Sequence, residues 1–266
     1  MSLPIPPRGD LEPGSPSPPG RPPATWTVLH SLGIFLLGNV VIGQLLIGSI
    51  VLFFFGAVVA PSGGATTPVL VVSLFADVAM VGTILGWLML RREPVVALLG
   101  VPSRGRWLRE IGVGVGVGVL LYIVVAFAVG GSVLWFLQRA FHERIVIPSQ
   151  LSTGLSPSAK ILAAILAIAI APPAEELFFR GVLFKGLRDR RGFALAAGVS
   201  AVVFGSVHWT GEWHGALVLV LSMMVTGLGL ALLYERRKNL VTNIAAHCTF
   251  NIVGIVLLFW LPKAGG

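Results

Sequence analysis

A chain of 266 residues that is 55% apolar and only 11% charged, with a positive mean hydropathy, has too little polar surface to enclose an ordinary soluble core. Its formal charge of +8 needs no nucleic-acid partner, because basic residues gathered on one face of a bilayer account for it beside anionic lipid. A single cysteine, Cys248, excludes an internal disulfide and a cysteine-based zinc site.

Residues 1–25 are rich in Pro, Gly and Ser and read as a disordered tail; residues 26–266 read as one integral-membrane domain. No basic start leads into a short apolar segment with a small-residue cleavage site, so the first span is expected to be retained. A helix of about 20 residues crosses the roughly 30 Å hydrocarbon core. Seven apolar runs are candidates: 31–58, 68–90, 110–130, 159–184, 193–208, 214–234 and 240–261. The third can continue through SVLWFLQRAF as an eighth or an interfacial helix. The expected fold is therefore all-α, a polytopic transmembrane bundle of about seven to eight spans with a polar intramembrane cavity. Within the third run, IGVGVGVGV sets Gly112 with Gly116 and Gly114 with Gly118 at small-xxx-small spacing, which predicts close helix packing on two faces.

The loops carry an orientation signal. With the N-terminus inside, Arg8, Arg21, Arg91, Arg92, Arg104, Arg106, Arg109, Lys185, Arg188, Arg190, Arg191, Arg236, Arg237 and Lys238 are cytoplasmic, and only Arg139, Arg144, Lys160 and Lys263 lie opposite. Fourteen against four favours a cytoplasmic N-terminus. Trp209, Trp213 and Trp260 are expected as interface anchors, and Glu212 and His214 as solvated residues of a short outer loop.

Polar side chains inside the spans carry the functional signal, since a charge at mid-bilayer costs about 2.5–3.5 kcal/mol on insertion scales and faces the bundle interior or a wet cavity. They are Asp77, Glu175, Glu176, Arg180, His208, His247 and Asn251. Glu176 and Arg180 are four apart and are expected to pair on one helix face. Glu175, rotated by about 100° from its neighbour, is then left to point elsewhere. Pro172 and Pro173 remove two backbone donors just before the glutamates and open the backbone there. The same four-residue spacing joins Phe204 to His208 and His247 to Asn251. A carboxylate, two imidazoles and an amide are the equipment for activating water and holding an oxyanion. One count conflicts with a shared site: at about 1.5 Å per residue, Glu175 and His247 lie roughly 10 Å from the basic ends of their spans and His208 roughly 20 Å from its own.

EExxxR (Glu175, Glu176, Arg180), FxxxH (Phe204, His208) and HxxxN (His247, Asn251), in this order on separate spans, resemble the three motifs of the CPBP (Abi) family of intramembrane endopeptidases, which includes the type II CAAX prenyl endopeptidases and bacterial relatives linked to bacteriocin processing or immunity. The resemblance covers about 155–262. It implies a protease in which Glu175 activates water with help from His208. In the same reading His247 and Asn251 polarise the scissile carbonyl, and Glu176 and Arg180 support the site. It further implies a membrane-anchored peptide or protein substrate met within the lipid bilayer, near the cytoplasmic side of a bacterial plasma membrane. A metal stays open: Glu175, His208 and His247 are a candidate zinc set with water in the fourth position, although no HExxH spacing is present. The sequence lacks a rhomboid-type GxSG serine and a presenilin-type GxGD pair. Two other function classes compete: a non-catalytic scaffold or immunity protein that binds a partner through the same cavity, and a proton-linked carrier in which the carboxylate and imidazoles form a relay. No second, symmetry-related polar segment supports the carrier.

Overall fold

The computed structural model describes residues 24–55, 67–151, 154–211 and 213–259, and its ordered elements are helices. Apart from a five-residue helix at Val95–Leu99 and a 3-10 turn at Arg104–Arg106, these are in chain order α1 (Val28–Val51), α2 (Thr67–Leu90), α3 (Trp107–Phe141), α4 (Pro157–Arg191), α5 (Phe193–Ser206), α6 (Trp213–Arg237) and α7 (Leu240–Phe259). All but α5 are long and apolar enough to cross a membrane, and the protein is a polytopic helical membrane bundle. Against the seven to eight spans expected, six helices among the described residues qualify, and the fifth run forms a helix of another kind. With 14 residues, α5 reaches only about 21 Å and ends inside the bundle. SVLWFLQRAF forms no eighth span. Ser132 keeps helical backbone angles, so the segment continues α3 until His142 adopts the left-handed conformation that ends it.

Helix α4 is the axis of the fold. Ser156 caps its start by accepting from the Ala159 N–H at 3.3 Å, and Pro157 follows where a missing donor costs nothing. From Glu176 to Leu187 every residue is buried, the pattern of a helix surrounded on all sides. Phe178, Phe179 and Phe184 pack there against Phe204 of α5, Tyr234 of α6 and Met80, Ile84 and Leu88 of α2.

Helix α7 is held against α3 by glycine on one face only. A Cβ on Gly118 would lie 2.3 Å from the Ala246 carbonyl oxygen, and one on Gly114 2.5 Å from that of Thr242, whereas Gly112 and Gly116 face open space. The expectation of close packing on two faces is thus corrected: these last two glycines leave the outer face of α3 bare. At the end of the same interface Glu110 is buried and gathers three partners that no sequence motif announces. Arg237 pairs with it, Thr242 Oγ1 donates to it at 2.6 Å, and Asn239 Nδ2 at 3.2 Å. Asn239 also caps α7 by accepting from the Thr242 N–H at 2.9 Å.

The basic residues collect at this end. Arg188 pairs with Glu235 at 2.9 Å, joining the ends of α4 and α6. The chain entering α1 is seated here as well, from Ala24 onward, so the last residues of the stretch expected to be a tail are docked. Ala24 N–H donates to Asp189 at 2.7 Å, and Trp26, fully buried, donates from its indole to the Val182 carbonyl at 3.0 Å. At the opposite end His214 opens α6, pairs with Glu143 at 2.5 Å and lies 4.3 Å from the Phe141 ring. It is a tethered residue and not the solvated one expected. Glu212 and Trp260 lie outside the described residues, while Trp209 and Trp213 are exposed.

Candidate active site

Pro172 and Pro173 shape the site by what they withhold. The turn before them is wide: the Ala171 N–H donates to the Leu166 carbonyl, five residues back. The next carbonyl, Ala167, would receive Pro172, which has no N–H. Asn251 of α7 supplies the missing donor, its Nδ2 lying 2.7 Å from the Ala167 oxygen. The amide expected to serve the substrate thus also stitches α7 to the opened turn of α4.

One turn on, the two glutamates part company as the helix period requires. Glu176 is wholly buried. Its Oε1 accepts from Arg180 Nη1 at 2.8 Å and from His247 Nδ1 at 2.9 Å, and its Oε2 from Asn243 Nδ2 at 3.2 Å. Arg180, equally buried, spends Nη2 on the Gly227 carbonyl at 2.9 Å and lies 5.1 Å from the Phe204 ring centroid. Asn243 completes the cluster by donating to the Leu230 carbonyl at 2.8 Å. It is absent from the set of polar residues read from the sequence, although the i+4 step from His247 to Asn251, taken one turn backwards, lands on it.

Glu175 points the other way, into a cavity of about 810 Å³. Its side chain is 24% exposed, and its Oε2 accepts no hydrogen bond among the described residues. Across from it is His247 Nε2, at 3.8 Å. Because Nδ1 donates to the Glu176 carboxylate, the tautomer and orientation of this ring are fixed and Nε2 is the nitrogen presented to the cavity. A gap of 3.8 Å between two polar atoms exceeds a direct hydrogen bond and suits a water bound to both.

His208 reaches the same cavity by a different route. It follows the end of α5, and its Nδ1 donates to the Phe204 carbonyl at 2.6 Å, which leaves Nε2 for the cavity. The Phe204 ring lies 4.7 Å from the His208 ring and 5.7 Å from that of His247, so the FxxxH phenylalanine is the spacer between the two imidazoles. The depth conflict in the sequence is resolved by the shortness of α5: a helix that starts at the basic end and stops mid-bundle delivers its last residue to the level of Glu175. Asp77 also lines this cavity, from the middle of α2.

Glu175, His208 and His247 face one space, yet among the described residues no three His, Cys, Asp or Glu side chains stand close enough to share a metal ion. As placed they do not form the three-ligand zinc set. The cavity extends to Gln150 and Leu151, in the segment joining α3 to α4, and so towards the end of the bundle away from the basic residues. The basic end is the one from which the sequence reading expects the substrate to approach.

The fold and the site define a class: an integral membrane protein with a carboxylate and two imidazoles converging on a cavity from α4, α5 and α7. Residues 157–253 match the family model described as "Type II CAAX prenyl endopeptidase Rce1-like", so the kinship read from the three motifs stands for this segment. Two curated relatives agree in extent. The chain is 30% identical over 93 residues to "Putative membrane peptidase YdiL" of Bacillus subtilis (strain 168), a match covering 35% of this chain and 36% of that one. It is 34% identical over 96 residues to "UPF0177 protein YbdJ" of Lactococcus lactis subsp. lactis (strain IL1403), covering 35% and 39%. The match therefore spans a little over a third of each relative's length. No solved structure matches the chain.

Proposed function

We propose that the protein is an intramembrane endopeptidase that hydrolyses a peptide bond of a membrane-anchored peptide or protein. The observation that carries this reading is the contrast between adjacent glutamates: Glu176 has all its bonds inside the protein, while Glu175 Oε2 is buried, without a hydrogen-bond partner and 3.8 Å from an oriented imidazole nitrogen. A water held between Glu175 and His247 loses a proton to Glu175 as its oxygen attacks the scissile carbonyl. The proton passes on to the leaving amine, with His208 Nε2 on the path. Asn251, whose amide has a second N–H beyond the one given to Ala167, faces the developing oxyanion, while His247 Nε2, a lone-pair nitrogen once Nδ1–H is given to Glu176, accepts from the water. Glu176, Arg180 and Asn243 hold His247 in place behind them. The family match and the name of the Bacillus relative support the reaction class.

The basic residues at one end of the bundle support a cytoplasmic N-terminus, in a bacterial plasma membrane. Cleavage is expected to survive a zinc chelator, since the pathway uses only side chains; loss of activity on chelation, restored by added zinc, would instead require His208 to close on Glu175 and His247.

The deciding experiment compares new protein N-termini in membranes from cells carrying wild type or Glu175→Gln at equal expression. Termini found only with wild type establish proteolysis and identify a substrate. Identical sets, with both proteins rescuing a knockout phenotype, would make the cavity a binding site for a partner and discard the protease.

A further inference from the structure

Helices α1 and α2 carry none of the three motifs and lie outside the family match, yet they form one wall of the cavity. From this otherwise apolar wall four polar side chains face the space: Asn39 and Gln44 of α1, Ser73 and Asp77 of α2. Their spacing is not accidental to the winding. Ser73 and Asp77 are four apart on an ordinary α-helical stretch, and Asn39 and Gln44 are five apart in Leu36–Ile47, where wide turns bring every fifth residue back to one side.

The protein itself makes little use of them. Ser73 Oγ donates to its own helix at Val69, and Gln44 Nε2 donates to Asn39 Oδ1 at 2.9 Å. Asp77 makes no hydrogen bond or ion pair among the described residues. Polar groups in a span are costly and are found where they meet water, one another or a transported or processed molecule. The mixture is informative. Two primary amides both donate and accept, and a carboxyl accepts; that is the complement of a peptide main chain with its alternating N–H and C=O. It does not match an acyl chain, which offers neither.

A helix presented to a protease must lose its internal hydrogen bonds around the bond to be cut, and within the hydrocarbon those freed groups need new partners. We propose that Asn39, Gln44 and Asp77 form the subsite that receives the unwound backbone of a transmembrane substrate, across the cavity from Glu175. The proposal rests on the proteolytic reading for the cleavage step and not for binding.

The test uses the full chain carrying Glu175→Gln, which cannot turn over, in lipid nanodiscs. The probes are two fluorescent peptides of Leu and Ala, each about 22 residues long to span the bilayer. One is a continuous helix; the other carries a central Gly-Pro-Gly break. The broken peptide is expected to bind about tenfold more tightly. Adding Asp77→Leu with Asn39→Leu should remove that preference, and Asp77→Asn, which keeps a hydrogen-bonding amide, should retain it. Apolar replacements in a span preserve insertion, and gel filtration of each variant confirms the fold. Equal binding of the two peptides overturns the proposal, as does an Asp77→Asn loss as large as that of Asp77→Leu. Wild-type protein that cleaves nothing while the preference persists removes the protease and leaves the subsite standing.

Discussion

Glu175 and Glu176 show how far one residue of helix rotation separates two fates. Removing Glu176 strands a buried guanidinium, and breaking a buried ion pair typically costs about 3–5 kcal/mol. Glu176→Ala is therefore expected to lower the midpoint of thermal unfolding in detergent sharply, and Arg180→Leu to do likewise. Glu175→Gln should melt within a degree or two of wild type while abolishing cleavage; a large loss of stability in that variant would place Glu175 among the structural residues. The division is legible in sequence, because the i,i+4 rule assigns Arg180 to Glu176 and leaves Glu175 over. Asn243 is within reach of the same rule, applied backwards from His247. Glu110 is not: its partners Arg237, Asn239 and Thr242 are 127 to 132 residues away, and no local pattern links them.

At the scale of elements, the site depends on two seams along α7. The first is with α3. Gly118→Ala would press a methyl into the Ala246 carbonyl, one residue before His247, and overpacking of this kind costs about 1–3 kcal/mol. Gly116→Ala, on the bare face, should be silent. Thermal melts of the pair test this, and equal effects would contradict the one-sided packing. Both glycine pairs are visible in the sequence, but not which one meets a helix, since a periodic run of small residues has no preferred face. The second seam is with α4, where Asn251 serves the Ala167 carbonyl. Asn251→Leu leaves that acceptor unpaired and is expected to cost about 1–3 kcal/mol as well as activity. The length of α5 is the least readable feature of any element. Its apolar run extends through Val207 and looks like a marginal span; only the observed turn at its end shows that it delivers His208 and stops.

For the whole molecule, the alternation of spans and the clustering of basic loops at one end are evident from composition and hydropathy, and the all-α bundle follows from them. The direction in which the cavity extends is not, because it depends on how Gln150 and Leu151, in a connecting segment without periodicity, fold back over the helices. In a Cys248→Ala background, a membrane-impermeant maleimide applied to intact cells should label Ser149→Cys and spare Ser103→Cys until the cells are opened. The reverse pattern would invert the orientation and place the cavity's far end in the cytoplasm.

The seat of Trp26 also sets a timetable for biogenesis. Its hydrogen-bond partner Val182 is 156 residues further along the chain. At about 5–20 residues per second, the ribosome needs roughly 8–30 s to make that stretch. For that interval α1 can sit in the bilayer while the indole meant for the end of α4 has no socket. The N-terminal clasp can thus close only once α4 has been inserted, while α5, α6 and α7 are still to come.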